Sequence, residues 1–223
     1  MEWPAYFDEF THRFRLDART TALLPIDLQY ASASRCAGFG ALMERQGRLH
    51  EAEYRYSRIE RLVVPNTARL LKVFRQIGAP VIYVTFGCER PDFSDAPPHL
   101  RRLFEITNNV KGAREHEILD EIKPCPGELV VNKRTQGAFA STGLEAILRA
   151  MGIRQLVITG VSTNMCVDAT ARGASDRGFS TVIVSDATGT CSDAMQEASL
   201  LTFKRLWGRV MSTEDVVREI SAS

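Results

Sequence analysis

Six short runs of apolar and β-branched residues recur along the chain: 20–26 (TTALLPI), 80–86 (PVIYVTF), 128–132 (ELVVN), 155–159 (QLVIT), 181–185 (TVIVS) and 209–211 (RVM). Within them apolar residues follow one another instead of alternating with polar ones. A strand written this way is buried on both faces, which requires helices packed on both sides of a sheet. Helical periodicity fills the gaps. Residues 66–77 carry Leu70, Leu71, Phe74 and Ile77 on one face and stop at Gly78, and residues 142–151 stop at Gly152. Two more helices are expected over 164–177 and 192–206, and Ser212 with Thr213, Glu214 and Asp215 reads as a capped helix start. This alternation predicts an α/β fold, a three-layer α/β/α sandwich with a mainly parallel, six-stranded, doubly wound sheet. Its 223 residues are expected to form one domain over 1–223. Residues 31–60 and 87–120 are long, charged and poorly periodic, and such insertions after strands are expected as lids or oligomer contacts.

Charge and motifs exclude several functions. Lys and Arg number 28 against 27 Asp and Glu, so the chain lacks the basic excess of a nucleic-acid binder. No apolar run approaches the ~20 residues that span a bilayer. The start at 1–4 (MEWP) has no basic or apolar leader pattern, and a cytoplasmic protein is expected. Five cysteines (36, 88, 125, 166, 191) without a Cys-x-x-Cys pair argue against a disulfide framework or structural zinc. The histidines at 12, 50, 99 and 116 are scattered. Gly38 and Gly40 lack the third glycine of a dinucleotide fingerprint, since Met43 stands there. Asp92, Asp95 and His99 are the only residues worth weighing as hard-metal ligands, and no metal or other cofactor is expected.

In a doubly wound sheet, ligands bind beyond the carboxyl ends of the strands. There the first strand delivers Asp27, the third Lys133, and the fourth runs through Gly160 and Val161 into a helix start bearing Cys166. A thiol in a first helical turn is expected to have a lowered pKa, because it faces free N–H groups and the positive end of the dipole. A nearby ammonium would stabilise thiolate, and a nearby carboxylate could take the thiol proton and deliver it to a leaving nitrogen. Each residue taken alone could equally be an element end or a small core residue.

The segment 26–29 (IDLQ), the Lys133-Arg134 turn followed by Phe139, Thr142 and Leu144, and above all 160–167 (GVSTNMCV) resemble the isochorismatase-like cysteine hydrolases. That family includes nicotinamidases, N-carbamoylsarcosine amidases, ureidoacrylate amidohydrolases and biuret hydrolases, and the similarity covers roughly 18–215. The resemblance implies a catalytic triad of Asp27, Lys133 and Cys166, a cis peptide between Val161 and Ser162, and an oxyanion hole from the N–H groups of Met165 and Cys166. It also implies a homodimer or homotetramer. The insertion at 31–60 carries Phe39, Leu42, Met43, Leu49, Tyr54 and Tyr56, for which an interface is a natural destination. True isochorismatases lack the nucleophilic cysteine, so Cys166 favours amide hydrolysis. Nicotinamidases carry an Asp-x-His metal motif after the second strand, where this chain reads 85–90 (TFGCER).

These readings converge on a cysteine-dependent amidohydrolase that cleaves a C–N bond of a small carbamoyl, ureide or carboxamide substrate through a thioester. Gln29, Arg134, Gln136 and Phe139 are the candidates for binding that substrate. The alternatives are a nicotinamidase-like amidase, a catalytically idle binding protein and a thiol redox protein. No nucleic acid or membrane is expected as a partner.

Overall fold

Alternate residues of the central strands part into two apolar layers, and that division builds the molecule. The computed structural model describes residues 9–222; the segment 1–4 lies outside the described residues. The strands are β1 (Thr21–Ile26), β2 (Ile82–Phe86), β3 (Leu129–Lys133), β4 (Gln155–Val161), β5 (Ser180–Gly189) and β6 (Arg209–Met211). Among the described residues the α-helices are α1 (Tyr30–Ala33), α2 (Gly38–Arg45), α3 (Glu53–Arg58), α4 (Val64–Gln76), α5 (Pro98–Thr107), α6 (Ala138–Ser141), α7 (Leu144–Ala150), α8 (Asp168–Ser175), α9 (Asp193–Lys204) and α10 (Thr213–Ile220). Leu23, Tyr83, Val157 and Val182 point to one side, where Leu70, Leu71 and Phe74 of α4 and Val216 and Ile220 of α10 cover them. Ala22, Leu24, Ile26, Val84, Leu156 and Ile158 point to the other, against Phe104 of α5, Leu148 of α7, Ala171 of α8 and Phe203 of α9. The period of two is thus present in the strands, hidden in the sequence because both faces are apolar.

All strand pairings are parallel, in the order β3-β2-β1-β4-β5-β6. The order reverses between β1 and β4, which places a crevice at their carboxyl ends. Gly160 is required there. Its φ is +116°, and a Cβ would sit 2.0 Å from the Ile26 carbonyl oxygen, so no side chain fits between β4 and β1. The β4–β5 register shifts between Ile158 and Gly160, and β5 continues four residues past the expected end at 185.

Three expectations are corrected. The third run is not buried on both faces: β3 is an edge strand, with Leu129 and Val130 exposed. The segment 31–60 is not irregular. It folds as α1, α2 and α3, and α3 continues through a π-helical turn, Ile59–Val63, into α4. Its apolar residues also have destinations inside the chain. Tyr56 and Met43 are buried, Phe39 and Leu49 pack on the core, and the Tyr54 hydroxyl donates to Asp193 at 2.6 Å. They therefore give no argument for an interface. The helix start at 212 is present as read, with the Ser212 hydroxyl accepting from the Asp215 N–H. Among the described residues no helix is long and apolar enough to cross a membrane.

Candidate active site

Three strand ends bring the reactive groups together. Asp27 follows β1. Its N–H donates to the Val84 carbonyl at 2.9 Å, and its φ is +53°, a left-handed conformation that aspartate tolerates better than most residues. Lys133 closes β3 and is paired in register with Phe86 of β2. Its ammonium lies 3.9 Å from the centroid of the Phe86 ring and donates to Asp27 Oδ2 at 2.8 Å. Beyond β4 the Val161–Ser162 peptide is cis, and residues Thr163–Val167 form a π-helical turn leading into α8. Cys166 sits in that turn, where such irregular turns often mark functional sites. Asp27, Lys133 and Cys166 are all buried.

Burial dominates the electrostatics. It raises the pKa of Asp27, against the opposing pull of the Lys133 ammonium. Burial also pushes the Cys166 thiol up, the Asp27 charge pushes it further, and Lys133 opposes both. The expectation of a lowered thiol pKa is therefore overturned: removal from water and an adjacent carboxylate outweigh the helix start. Cys166 thus sits beside the buried Lys133–Asp27 contact, with its thiol disfavoured from ionising. The thiol donates to Gln136 Oε1 at 3.1 Å. Asp27 Oδ1 is buried without a hydrogen-bond partner among the described residues, which leaves it open to a proton.

Asp27 and Cys166 face a cavity of about 270 Å³. Strand-end residues Phe86, Val161, Ser162, Met165 and Gln136 line it on one hand, and Ser32, Phe39 and Arg55 from the first insertion line it on the other. Leu103, Thr107 and Asn109 come from the second insertion. Both insertions thus supply lining residues, and Arg55, Leu103, Thr107 and Asn109 carry no individual sequence signal; tertiary packing alone selects them.

Of the four candidate binding residues only Gln136 lines the cavity. Gln29 is fully buried behind it: its amide donates to the His116 carbonyl at 2.7 Å, and its Oε1 accepts from the Phe86 N–H at 2.7 Å, tying the ends of β1 and β2 to the loop at 116. Arg134 faces Asp95 at 4.0 Å outside the cavity. Phe139 packs against Phe179 and Gly173. Met165 lines the cavity with its side chain, but its N–H already donates to the Ser162 carbonyl at 3.0 Å, so it is not a free oxyanion donor. Asp168 pairs with Arg172 at 2.7 Å on α8. Asp92 is held by Arg90 and Ser94, and Asp95 accepts from the Glu89 N–H. Among the described residues no three His, Cys, Asp or Glu side chains converge as a metal site.

The chain has relatives among known proteins. A family profile described as the isochorismatase domain matches residues 21–215. The ureidoacrylate amidohydrolase of Variovorax paradoxus is 34% identical over 214 residues, covering 92% of this chain and 83% of that protein. A secreted isochorismatase effector of Verticillium dahliae is 32% identical over 181 residues, covering 78% of this chain and 87% of that protein. Among solved structures, the N-carbamoylsarcosine amidase of Thermoplasma acidophilum is 28% identical with a TM-score of 0.64, over 87% of this chain and 97% of that one.

Proposed function

The chain belongs to the isochorismatase family, and from that premise we propose that it is a cysteine-dependent amidohydrolase acting on a small carbamoyl, ureide or carboxamide substrate. One observation carries the reading: a buried thiol and a Lys133-paired carboxylate open onto the same small cavity. The relatives named for ureidoacrylate and N-carbamoylsarcosine support the substrate class.

In the proposed reaction Asp27 takes the Cys166 proton as the sulfur attacks the carbonyl carbon. Burial raises the pKa of Asp27, which makes it a stronger base than an ordinary carboxylate, while the raised pKa of the thiol opposes its ionisation. The carbonyl π pair moves to oxygen, where the Cys166 N–H is the proposed donor. Asp27, now protonated, donates to the departing nitrogen, the C–N bond breaks, and a thioester remains. Water then gives a proton to Asp27, its oxygen attacks the thioester carbon, and the thiol leaves with that proton. Lys133 holds Asp27 in place and balances its charge in the steps where it is ionised. No step uses a metal or cofactor. The homo-oligomer and the cytoplasmic location expected from the sequence remain part of this proposal, and sedimentation at micromolar concentration tests the first.

A panel of ureides and carboxamides assayed for ammonia release tests the reaction. At least one ureide should exceed nicotinamide about tenfold in kcat/KM, which asks for only ~1.4 kcal/mol of transition-state discrimination. Nicotinamide turned over equally well would overturn the ureide preference, and a silent panel would overturn the amidohydrolase reading.

A further inference from the structure

Among the described residues lining the cavity, Arg55 is the one cation. It comes from α3 and is 9% exposed. Its hydrogen bonds among the described residues go to neutral oxygens: Nη1 donates to Ser162 Oγ at 2.7 Å and Nη2 to the Ser32 carbonyl at 2.8 Å. Arg58 of the same helix also donates to carbonyls, those of Thr188 and Ser185, but it does not line the cavity. Arg35 pairs with Glu53 and Glu60, Arg48 with Glu51, and buried Lys133 with Asp27. A guanidinium withdrawn from water without an anion is costly, and a fold that keeps one usually supplies the anion from elsewhere. Ser162 and Ser32 take one bond from each terminal nitrogen, and a guanidinium has five N–H donors, more than these two bonds use.

We infer that Arg55 is the carboxylate-binding residue of the active site, and that the substrate is a ureido or carbamoyl acid, not a neutral ureide. This rests on the amidohydrolase reading above. Ser162, which Arg55 touches, lies four residues before Cys166, and both residues line the same cavity. A molecule carrying a carbamoyl group at one end and a carboxylate at the other, a few bonds apart, would place its carbonyl at the thiol and its anion on the guanidinium fork. A forked arginine–carboxylate contact is both strong and directional. Such an anion would neutralise the buried charge of Arg55 and fix which carbonyl meets Cys166. A neutral ureide such as biuret leaves the guanidinium unpaired and loses that orientation.

The test pairs a ureido acid with the ureido alcohol that replaces its carboxylate by CH2OH. Wild-type kcat/KM should favour the acid by at least about tenfold, most of it in KM. In Arg55→Gln that acid-to-alcohol ratio should fall to near one, while Arg55→Lys, which keeps the charge without the fork, should retain an intermediate ratio. Calorimetric binding of both compounds to the Cys166→Ala protein repeats the comparison without turnover. A binding margin for the acid that vanishes in Cys166→Ala/Arg55→Gln, with no hydrolysis of either compound by the wild type, would retain the carboxylate site and sink the amidohydrolase reading. Equal turnover and equal binding of acid and alcohol by the wild type, or a ratio unchanged in Arg55→Gln, overturns the Arg55 assignment. Should Arg55→Gln fail to fold, the wild-type and Arg55→Lys ratios decide the question by the same criterion.

Discussion

The cavity has two kinds of wall, each with its own buried cation. On the strand-end wall, Lys133 is fully buried, paired in register with Phe86 and bonded to Asp27, which directly follows β1. On the helical wall contributed by 30–63, Arg55 is nearly as buried, and among the described residues it is bonded to a serine hydroxyl and a backbone carbonyl. Among the described residues the first cation has a counter-charge and the second has none. The difference teaches where the chain has committed its electrostatics. The strand-end wall is complete in itself and suited to one chemistry, whereas the helical wall has an unmet charge that a ligand can complete. The two walls meet at Ser162, whose hydroxyl accepts from Arg55 and whose carbonyl accepts from the Met165 N–H.

The strongest way to break this division is at the thiol. Cys166→Ser should lower kcat at least about a thousandfold with the fold intact, because a serine hydroxyl ionises far less readily than a thiol and is a poorer nucleophile in the same place. A steady-state assay with circular dichroism on the same sample checks both halves. Retention of a tenth of the wild-type rate would place the nucleophile elsewhere. The two cations give the next largest contrast. Lys133→Met leaves the Asp27 carboxylate buried without its partner and should cost about 3–5 kcal/mol in urea unfolding. Arg55→Met removes a cation that faces only neutral oxygens, so the loss is limited to about 1–3 kcal/mol for the acceptors it leaves. Arg55→Met as costly as Lys133→Met would mean that the helical wall is charge-balanced after all.

The pH profile sharpens the strand-end half. Asp27 must be ionised to take the thiol proton, and its pKa is raised above the ordinary 3.8 by burial. Activity should therefore fall about tenfold per unit as pH drops below a midpoint lying above 3.8. The sign for stability is the reverse. A folded-state pKa above the unfolded one means that folding takes up a proton here. The contribution of Asp27 to stability is thus full below 3.8 and is lost as pH rises through its folded value. An acid limb in kcat/KM at or below 3.8, with the protein still folded in the same buffers, would remove Asp27 from the role of base.

How much of this was legible in the sequence differs between the same two walls. β-Runs read from consecutive apolar residues located the sheet, and residues at strand ends share an edge by topology alone, so Asp27, Lys133 and Cys166 could be placed together before any contact was known. The edge position of β3 was not legible, because Leu129, Val130 and Val131 read like a core strand and strand order is a property of the whole chain. The direction of the thiol pKa was misread for a related reason: the helix start is local, but the burial and the Asp27 charge that outweigh it come from other elements. On the helical wall, Arg55 has no motif. It looks like one basic residue among Arg48, Arg58 and Arg61, and only packing turns it inward. Gln29 errs in the other direction, since a polar residue two places after Asp27 suggests a binding group, yet its amide is consumed in joining β1, β2 and the loop at 116.

The smallest expected effect makes the same point with a second arginine. Arg134 directly follows Lys133, and from sequence it was the stronger candidate to hold an anionic or urea-like substrate. In the structure its side chain is 36% exposed, and its ion-pair partner among the described residues, Asp95, is 4.0 Å away. A half-exposed pair at that distance is worth about 0–1 kcal/mol, and the guanidinium does not line the cavity. Arg134→Ala should therefore change kcat/KM for a ureido acid by less than about twofold, and the acid-to-alcohol ratio not at all. Arg55→Gln in the same assay should collapse that ratio. The two substitutions remove the same type of guanidinium from two sites that the sequence alone cannot rank. If Arg134→Ala instead raises KM for the acid tenfold while Arg55→Gln leaves it alone, the anion is read beside Lys133, and the strand-end wall supplies specificity as well as chemistry.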